Sequence, residues 1–322
     1  MILSILNTAA IFALVSAGIA LGLIVSDPAR GVSGAGGLDF SGVGDGIEMP
    51  EPMGVRMRDG FELAVREYEN DQGPLIILIH GSGWNGLQFN GLAARLNVGA
   101  TVLVPDLRGH GAQPGRRGDV DYIGQLEDDL ADLIKARARP GQKVVMLGHS
   151  SGGGLVVRFA GGAHGGLLDG AVLLAPFLKY NAPTTRANSG GWAAVQTRRL
   201  IGLSMLNAVG IRALNYLGVI SFKMPDAVMD GPLGHLATTS YSFRMNVSYA
   251  PRMDYLKDIS ALPPFLLMVG DRDEAFIADQ YEPLMRQVTD MGRYLIAKDT
   301  GHLGIVDAPG TAPEIQAFLD AL

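Results

Sequence analysis

Gly148-His149-Ser150-Ser151-Gly152 follows directly on the apolar run Lys143 to Leu147 and leads into a glycine-rich helical segment. A serine with glycines two positions before and after it, at a strand-to-helix turn, is the arrangement that exposes a hydroxyl for nucleophilic attack. The turn forces Ser150 into a strained backbone, and side chains at positions 148 and 152 would collide. A helix starting at Ser151 would aim its amides and dipole at the spot where an oxyanion forms.

A serine hydroxyl is a weak nucleophile until a base takes its proton. His302, in Thr300-Gly301-His302-Leu303-Gly304, follows the last apolar run, and a loop there returns to the sheet edge that carries Ser150. His149 sits inside the turn and cannot reach back to its neighbour; it is assigned to the substrate-binding wall. His80 and His110 read as structural hydrogen-bonders, and His164 and His235 carry no supporting context. A third member must orient the imidazole and stabilise its charged form. Gly270-Asp271-Arg272-Asp273-Glu274 ends another apolar run and offers three acids between the serine and the histidine. Asp273 is favoured, with Asp271 capping the turn and Glu274 pointing elsewhere; the competing reading is a solvated acidic turn.

For the oxyanion, His80-Gly81-Ser82-Gly83-Trp84 follows Ile79, and its glycines let backbone approach a bound carbonyl. The amide of Ser82 is the expected first donor and that of Ser151 the second, each contributing roughly 2.7–4 kcal/mol to a transition state. Trp84 either lines the substrate pocket or packs the loop. Asp106-Leu107-Arg108-Gly109-His110-Gly111 reads as a structural turn.

Positioning these groups requires a sheet. Leu75 to Ile79, Thr101 to Val104, Lys143 to Leu147, Ala171 to Leu174, Phe265 to Val269 and Tyr294 to Ala297 are short apolar runs, and Phe61 to Tyr68 alternates as a strand does. Continuous apolarity means burial on both faces, as in a parallel sheet covered by helices. Between them Ile123, Leu126, Leu130, Leu133 and Ile134 form one helical stripe, with acids early and bases late. The alternation indicates a doubly wound α/β fold. One long interval, from Ala175 to Phe265, lacks a clear core strand, and Trp192 to Leu217 within it looks helical. This reads as an inserted cap at about 179–260.

Ahead of this body, Ile2 to Val25 carries no charge. As a helix it would rise roughly 36 Å, enough to cross a hydrocarbon core of about 30 Å. A single-pass membrane anchor over residues 1–26 is expected, with a cleaved signal and a secreted or periplasmic protein as the alternative. Residues 27–52 read as a glycine-rich linker and 53–322 as the catalytic domain.

The chain has 322 residues, 48% of them hydrophobic and 18% charged, which excludes disorder, collagen and coiled coil and permits a sizeable core. A net charge of −6 offers no general attraction for nucleic acid. The absence of cysteine removes disulfides, thiolate nucleophiles and Cys-ligated metals. No metal-ligand cluster or phosphate-cradling loop is evident, so neither a metal nor a cofactor is expected.

Together these motifs resemble the α/β-hydrolase superfamily, and within it the lysophospholipase and monoacylglycerol-lipase-like group that is often joined with serine aminopeptidases. The resemblance runs from about Gly54 to the C-terminus and rests on His80-Gly81, Asp106 to Gly111, the Ser150 elbow, Gly270 to Asp273 and Gly301-His302. It implies a mostly parallel sheet flanked by helices, with a helical cap after the sixth core strand. By the same resemblance Ser150, Asp273 and His302 match the triad and Ser82 and Ser151 the oxyanion positions. Gln113 and Glu274-Ala275 depart from the group's usual residues, and the N-terminal run lies outside its common region. The function this implies is cleavage of small-molecule carboxylic esters, of acyl lipids such as monoacylglycerol or lysophospholipid. A peptidase or amidase on the same triad is the alternative, and a cap acid that captures an α-amino group (Asp226, Asp230 or Asp254) would favour it. A non-catalytic binding protein would be expected to have lost a triad position. Serine at the elbow disfavours dehalogenase and epoxide-hydrolase chemistry, which needs aspartate there.

Overall fold

A computed structural model describes the chain over residues 2–28, 37–40 and 49–322, with the side chains of 2–13 and 188 outside the description. Its main sheet has eight strands: β1 Met53–Arg56, β2 Glu62–Tyr68, β3 Leu75–Ile79, β4 Thr101–Pro105, β5 Val144–His149, β6 Gly170–Leu174, and, later in the chain, β10 Phe265–Gly270 and β11 Gly292–Ala297. They lie in the order β1-β2-β4-β3-β5-β6-β10-β11. From β4 to β11 all pairings are parallel; β2 runs antiparallel to both β1 and β4. The central strands β3, β5, β6 and β10 are buried along their whole length, as their continuous apolarity requires.

Helices cover both faces: α2 Asn90–Leu96, α3 Gln125–Arg137, α4 Ser151–Ala160, and, towards the C-terminus, α8 Tyr255–Ser260, α9 Tyr281–Met285 and α10 Thr311–Asp320. The apolar stripe expected to start at Ile123 enters its helix two residues later. Gly124 stands at the N-cap with φ 103°, and Leu126, Leu130, Leu133 and Ile134 are buried beyond it.

Between β6 and β10 the chain builds a separate antiparallel sheet of β7 Ala193–Val195, β8 Gly218–Phe222 and β9 Ser240–Ser242. Helices α5 Thr197–Ala208, α6 Asp226–Met229 and α7 Phe243–Tyr249 accompany it. The single helix expected over Trp192 to Leu217 is therefore corrected. Its first residues pair as β7, and the helix proper stops at Ala208, just before Gly210 at φ 83°.

The apolar N-terminal run forms helix α1, Ile2–Val25. The membrane anchor expected from it finds no support: among the described residues no helix is long and apolar enough to cross a membrane. The end of α1 instead docks on α5, where Ala20 and Ile24 are buried with Leu203, Leu206, Val219 and Phe243. Gly202 permits the close approach, since a Cβ there would lie 2.5 Å from the carbonyl of Ala20. Arg199 Nε donates to the Ile24 carbonyl and the Arg198 guanidinium to the Ser26 carbonyl, placing cations where the helix dipole is negative. Most of the linker expected over 27–52 lies outside the described residues, but 37–40 do not behave as a tether. Leu38 is buried in the main core, and Phe40 packs against it.

Candidate active site

Strand register brings the chemistry together. Ile79 pairs with Gly148, so the loop after β3 lies beside the turn after β5. Gly270 pairs with Ala297, so the loops after β10 and β11 also leave side by side. All four sit at the C-terminal ends of parallel strands, where ligands bind in open α/β sheets.

At the β5–α4 turn Ser150 has φ 54° and ψ −122°, a conformation rare outside glycine. The flanking glycines are enforced from two directions. A Cβ on Gly148 would lie 2.4 Å from the backbone of Gly152, and one on Gly152 would lie 2.1 Å from the carbonyl of Ile79. The Ser150 amide donates to Leu174 O, while its Oγ makes no hydrogen bond with any described residue. Ser150 and His302 line one cavity with no hydrogen bond between them; such bonds commonly tighten only when substrate is bound.

His302 is almost wholly buried, and its Nδ1 lies 2.8 Å from Asp273 Oδ2. The other oxygen, Oδ1, accepts the amides of Ala275 and Phe276 at 2.8 and 2.7 Å. Burial alone would raise the Asp273 carboxyl, but the charge of His302, its hydrogen bond and those two amides outweigh burial and hold the group below its ordinary value. The two loops are also stitched by backbone. The Arg272 amide donates to Thr300 O, the Thr300 amide to Asp271 Oδ1, and Arg272 pairs with Asp299. Glu274 does not point elsewhere, as expected from the sequence: its carboxylate accepts the His302 amide at 2.7 Å. Of the three acids, only Asp273 meets the imidazole.

On the oxyanion side, the Gly81 amide is taken by Gln88 Oε1 and the Gly83 amide by the Tyr241 hydroxyl. The Ser82 amide between them has no partner among the described residues, nor has the Ser151 amide at the head of α4. The two hydroxyls, Ser82 Oγ and Ser151 Oγ, are joined at 2.7 Å and fix the loops to each other. Both unpartnered amides thus belong to loops that flank Ser150.

His149, assigned from sequence to the substrate-binding wall, lines a smaller cavity, but both ring nitrogens are engaged by protein. Gln88, whose Oε1 is occupied by Gly81, donates through Nε2 to His149 Nδ1 at 2.5 Å, and His149 Nε2 donates to the His302 carbonyl at 2.9 Å. This chain of contacts ties the oxyanion loop to the histidine loop and requires a neutral His149. Trp84 lines the same smaller cavity. Tyr241 carries no motif that would reveal it because its partners Gly83 and His110 lie far away in the chain, and Gln88, though only seven residues from Gly81, meets His149 across 61.

His80 and His110 take the structural roles expected of them. His80 Nε2 accepts the Leu107 amide, and His110 Nε2 meets the Tyr241 hydroxyl at 2.6 Å. Burial is the main cause that pulls His80, His110 and His149 below the ordinary value of about 6.5: His80 to about 4, His149 to about 3 with the neighbouring His302 adding to it, and His110 well down beside His80. The unfolded chain takes up these protons near pH 6.5 while the folded one refuses them. Their contribution to stability is thus complete above that pH and drains as pH falls towards the folded values. Urea midpoints should hold steady above about pH 7 and drop at about pH 5, by roughly 1–2 kcal/mol for each buried ring. A midpoint unchanged at the lower pH would contradict these neutral assignments.

Residues 71–293 match the serine aminopeptidase S33 family. An uncharacterised protein of Mycobacterium tuberculosis is 39% identical over 111 residues, covering 34% of this chain and 31% of that protein, so the match spans about a third of each. A monoacylglycerol lipase of Mycolicibacterium smegmatis is 33% identical over 98 residues, covering 30% of this chain and 34% of that one. The solved structure of a soluble variant of Saccharomyces cerevisiae monoglyceride lipase, in complex with a substrate analog, superimposes with a TM-score of 0.62 at 18% identity, over 85% of this chain and 96% of the other. That likeness is one of fold. With most of its length matched, the chain belongs to the serine aminopeptidase S33 family and has the α/β-hydrolase fold.

Proposed function

We propose that this protein is a serine hydrolase that cleaves carboxylic esters, with acyl lipids such as monoacylglycerol or lysophospholipid as its substrate class. In this reading Ser150 Oγ attacks the ester carbonyl as His302 Nε2 takes its proton, and Asp273 steadies the imidazolium through Nδ1–H. The amides of Ser82 and Ser151 receive the oxyanion. Collapse of the tetrahedral species expels the alcohol with the proton from His302. Water then attacks the acyl-enzyme by the reverse sequence and frees the acid. The residues between β6 and β10 act as the cap that walls the acyl group.

The observation that carries the ester reading is the lining of the site. The larger cavity, about 550 Å³ including space open at its mouth, is walled by Phe177, Trp192, Ile220, Phe222 and Phe276 around the serines and His302. Among the described residues neither cavity is lined by an Asp or a Glu. An aminopeptidase must hold a substrate α-ammonium group, and a cationic group in an apolar site without a counter-charge is costly. Asp254, one of the acids considered for that task, caps α8 instead by accepting the Lys257 amide. A monoacylglycerol lipase among the matched relatives supports the same substrate class. Purified protein should hydrolyse neutral acyl esters and leave aminoacyl p-nitroanilides untouched. Faster cleavage of an amide with a free α-amino group than of the corresponding ester would overturn the reading.

A further inference from the structure

Two cavities meet at the elbow. Ser82, Ser150, Trp192 and His302 line both, so an ester carbonyl held at Ser150 would send one substituent into each arm. The smaller arm, about 330 Å³ including open space, is lined in part by residues that precede the family region: Leu38 and Phe40. Neither is loosely placed. Leu38 is only 9% exposed, and the Phe40 ring stands 5.5 Å from Trp192 and meets Trp84 edge-on at 6.4 Å. Gly37, with φ 133°, carries the strap past Trp192, where a Cβ would lie 3.9 Å from the indole.

We propose that Leu38 and Phe40 are specificity-determining residues: they form the end wall of the smaller arm and limit the substituent accepted there to a short one. The proposal rests on the ester-hydrolase reading above. A wall borrowed from outside the catalytic domain sets size without touching the reacting atoms, so its removal changes which esters are cleaved and not whether any are. Because both side chains are apolar and Phe40 packs on two tryptophan rings, the group they admit is a short alkyl or other small uncharged one.

The test uses the full chain and two homologous ester series. In one, p-nitrophenyl esters run from acetate to laurate; in the other, butyrate esters run from methanol to octanol. In the butyrate series, which varies the alcohol because the acyl group is given to the larger, cap-walled arm, Phe40→Ala should raise kcat/KM for the longest members about tenfold or more and leave the shortest within about twofold. The other series should stay as in wild type, and fluorophosphonate labelling should persist. Leu38→Phe, which narrows the arm without opening the core, should act in the opposite sense on the same series, so a poorly folding alanine variant does not remove the test. Profiles that match wild type in both series, or that shift equally at all lengths, would overturn the wall. Wild-type protein that neither labels nor cleaves any ester would overturn the hydrolase reading, and the wall with it.

Discussion

Ser150→Ala should lower ester turnover by about 10,000-fold or more and abolish labelling by a fluorophosphonate, with the urea midpoint within about 1 kcal/mol of wild type. The stability half of this expectation follows from local structure. Ser150 Oγ makes no hydrogen bond with any described residue, and its backbone amide remains bonded to Leu174 O whatever the side chain. Alanine inherits the same φ of 54°, so no new strain is added. The activity half follows from chemistry: without Oγ no acyl-enzyme forms, and the free amides of Ser82 and Ser151 can only polarise a carbonyl for attack by water. Labelling is the sharper readout because three other serines line the same cavity. Ser82 Oγ donates to Ser151 Oγ, and Ser189, at φ 46°, belongs to the segment between β6 and β10. Undiminished labelling of Ser150→Ala would place the nucleophile on one of these and refute the assignment.

What could be read from the sequence was what is local. The central strands were legible because burial on both faces leaves unbroken apolar runs, and Leu75–Ile79 appears with the bounds expected. The elbow was legible because its steric demands fall on neighbours in sequence. Gly148 and Gly152 are required by contacts that any such turn makes. The small sheet of β7 to β9 was not legible, since strands as short as Ala193–Val195 carry too few residues to show a period. Even there, Gly210 stood in the sequence as a stop signal for a helix that was drawn through it. Composition misled in the strap: a glycine-rich average concealed Leu38, which is buried in the core, and Phe40, which packs on two tryptophans far along the chain. The same holds for the supports of the site. Gln88 finds His149 across 61 residues and Gly83 finds Tyr241 across 158, with no local pattern at either end. Glu274 could have been suspected from its position beside the acid, but its bond to the His302 amide is a product of strand adjacency.

Asp273→Asn should cost about 10,000-fold in kcat at neutral pH while the protein folds and binds as before. Asparagine is nearly the same shape, and its side-chain oxygen can still accept the Ala275 and Phe276 amides that Oδ1 accepts now, so the turn after β10 persists. The amide nitrogen then occupies the place of Oδ2, 2.8 Å from His302 Nδ1. Two donors cannot face each other, so Nδ1 must become the acceptor and the ring proton moves to Nε2. That nitrogen is the one required to take the serine proton, and in this tautomer it has no lone pair to do so. The variant thus keeps every contact of the site and reverses one proton. Glu274→Gln supplies the contrast. Its partner is the backbone amide of His302, which a glutamine oxygen accepts as well, so the imidazole keeps its tautomer. Its loss of kcat should stay within about tenfold, with the burial of the loop unchanged. The two variants separate orientation of the ring from support of the loop. If Glu274→Gln fell further than Asp273→Asn, the acid that serves His302 would be Glu274, and the pairing seen between Asp273 and the imidazole would be structural alone.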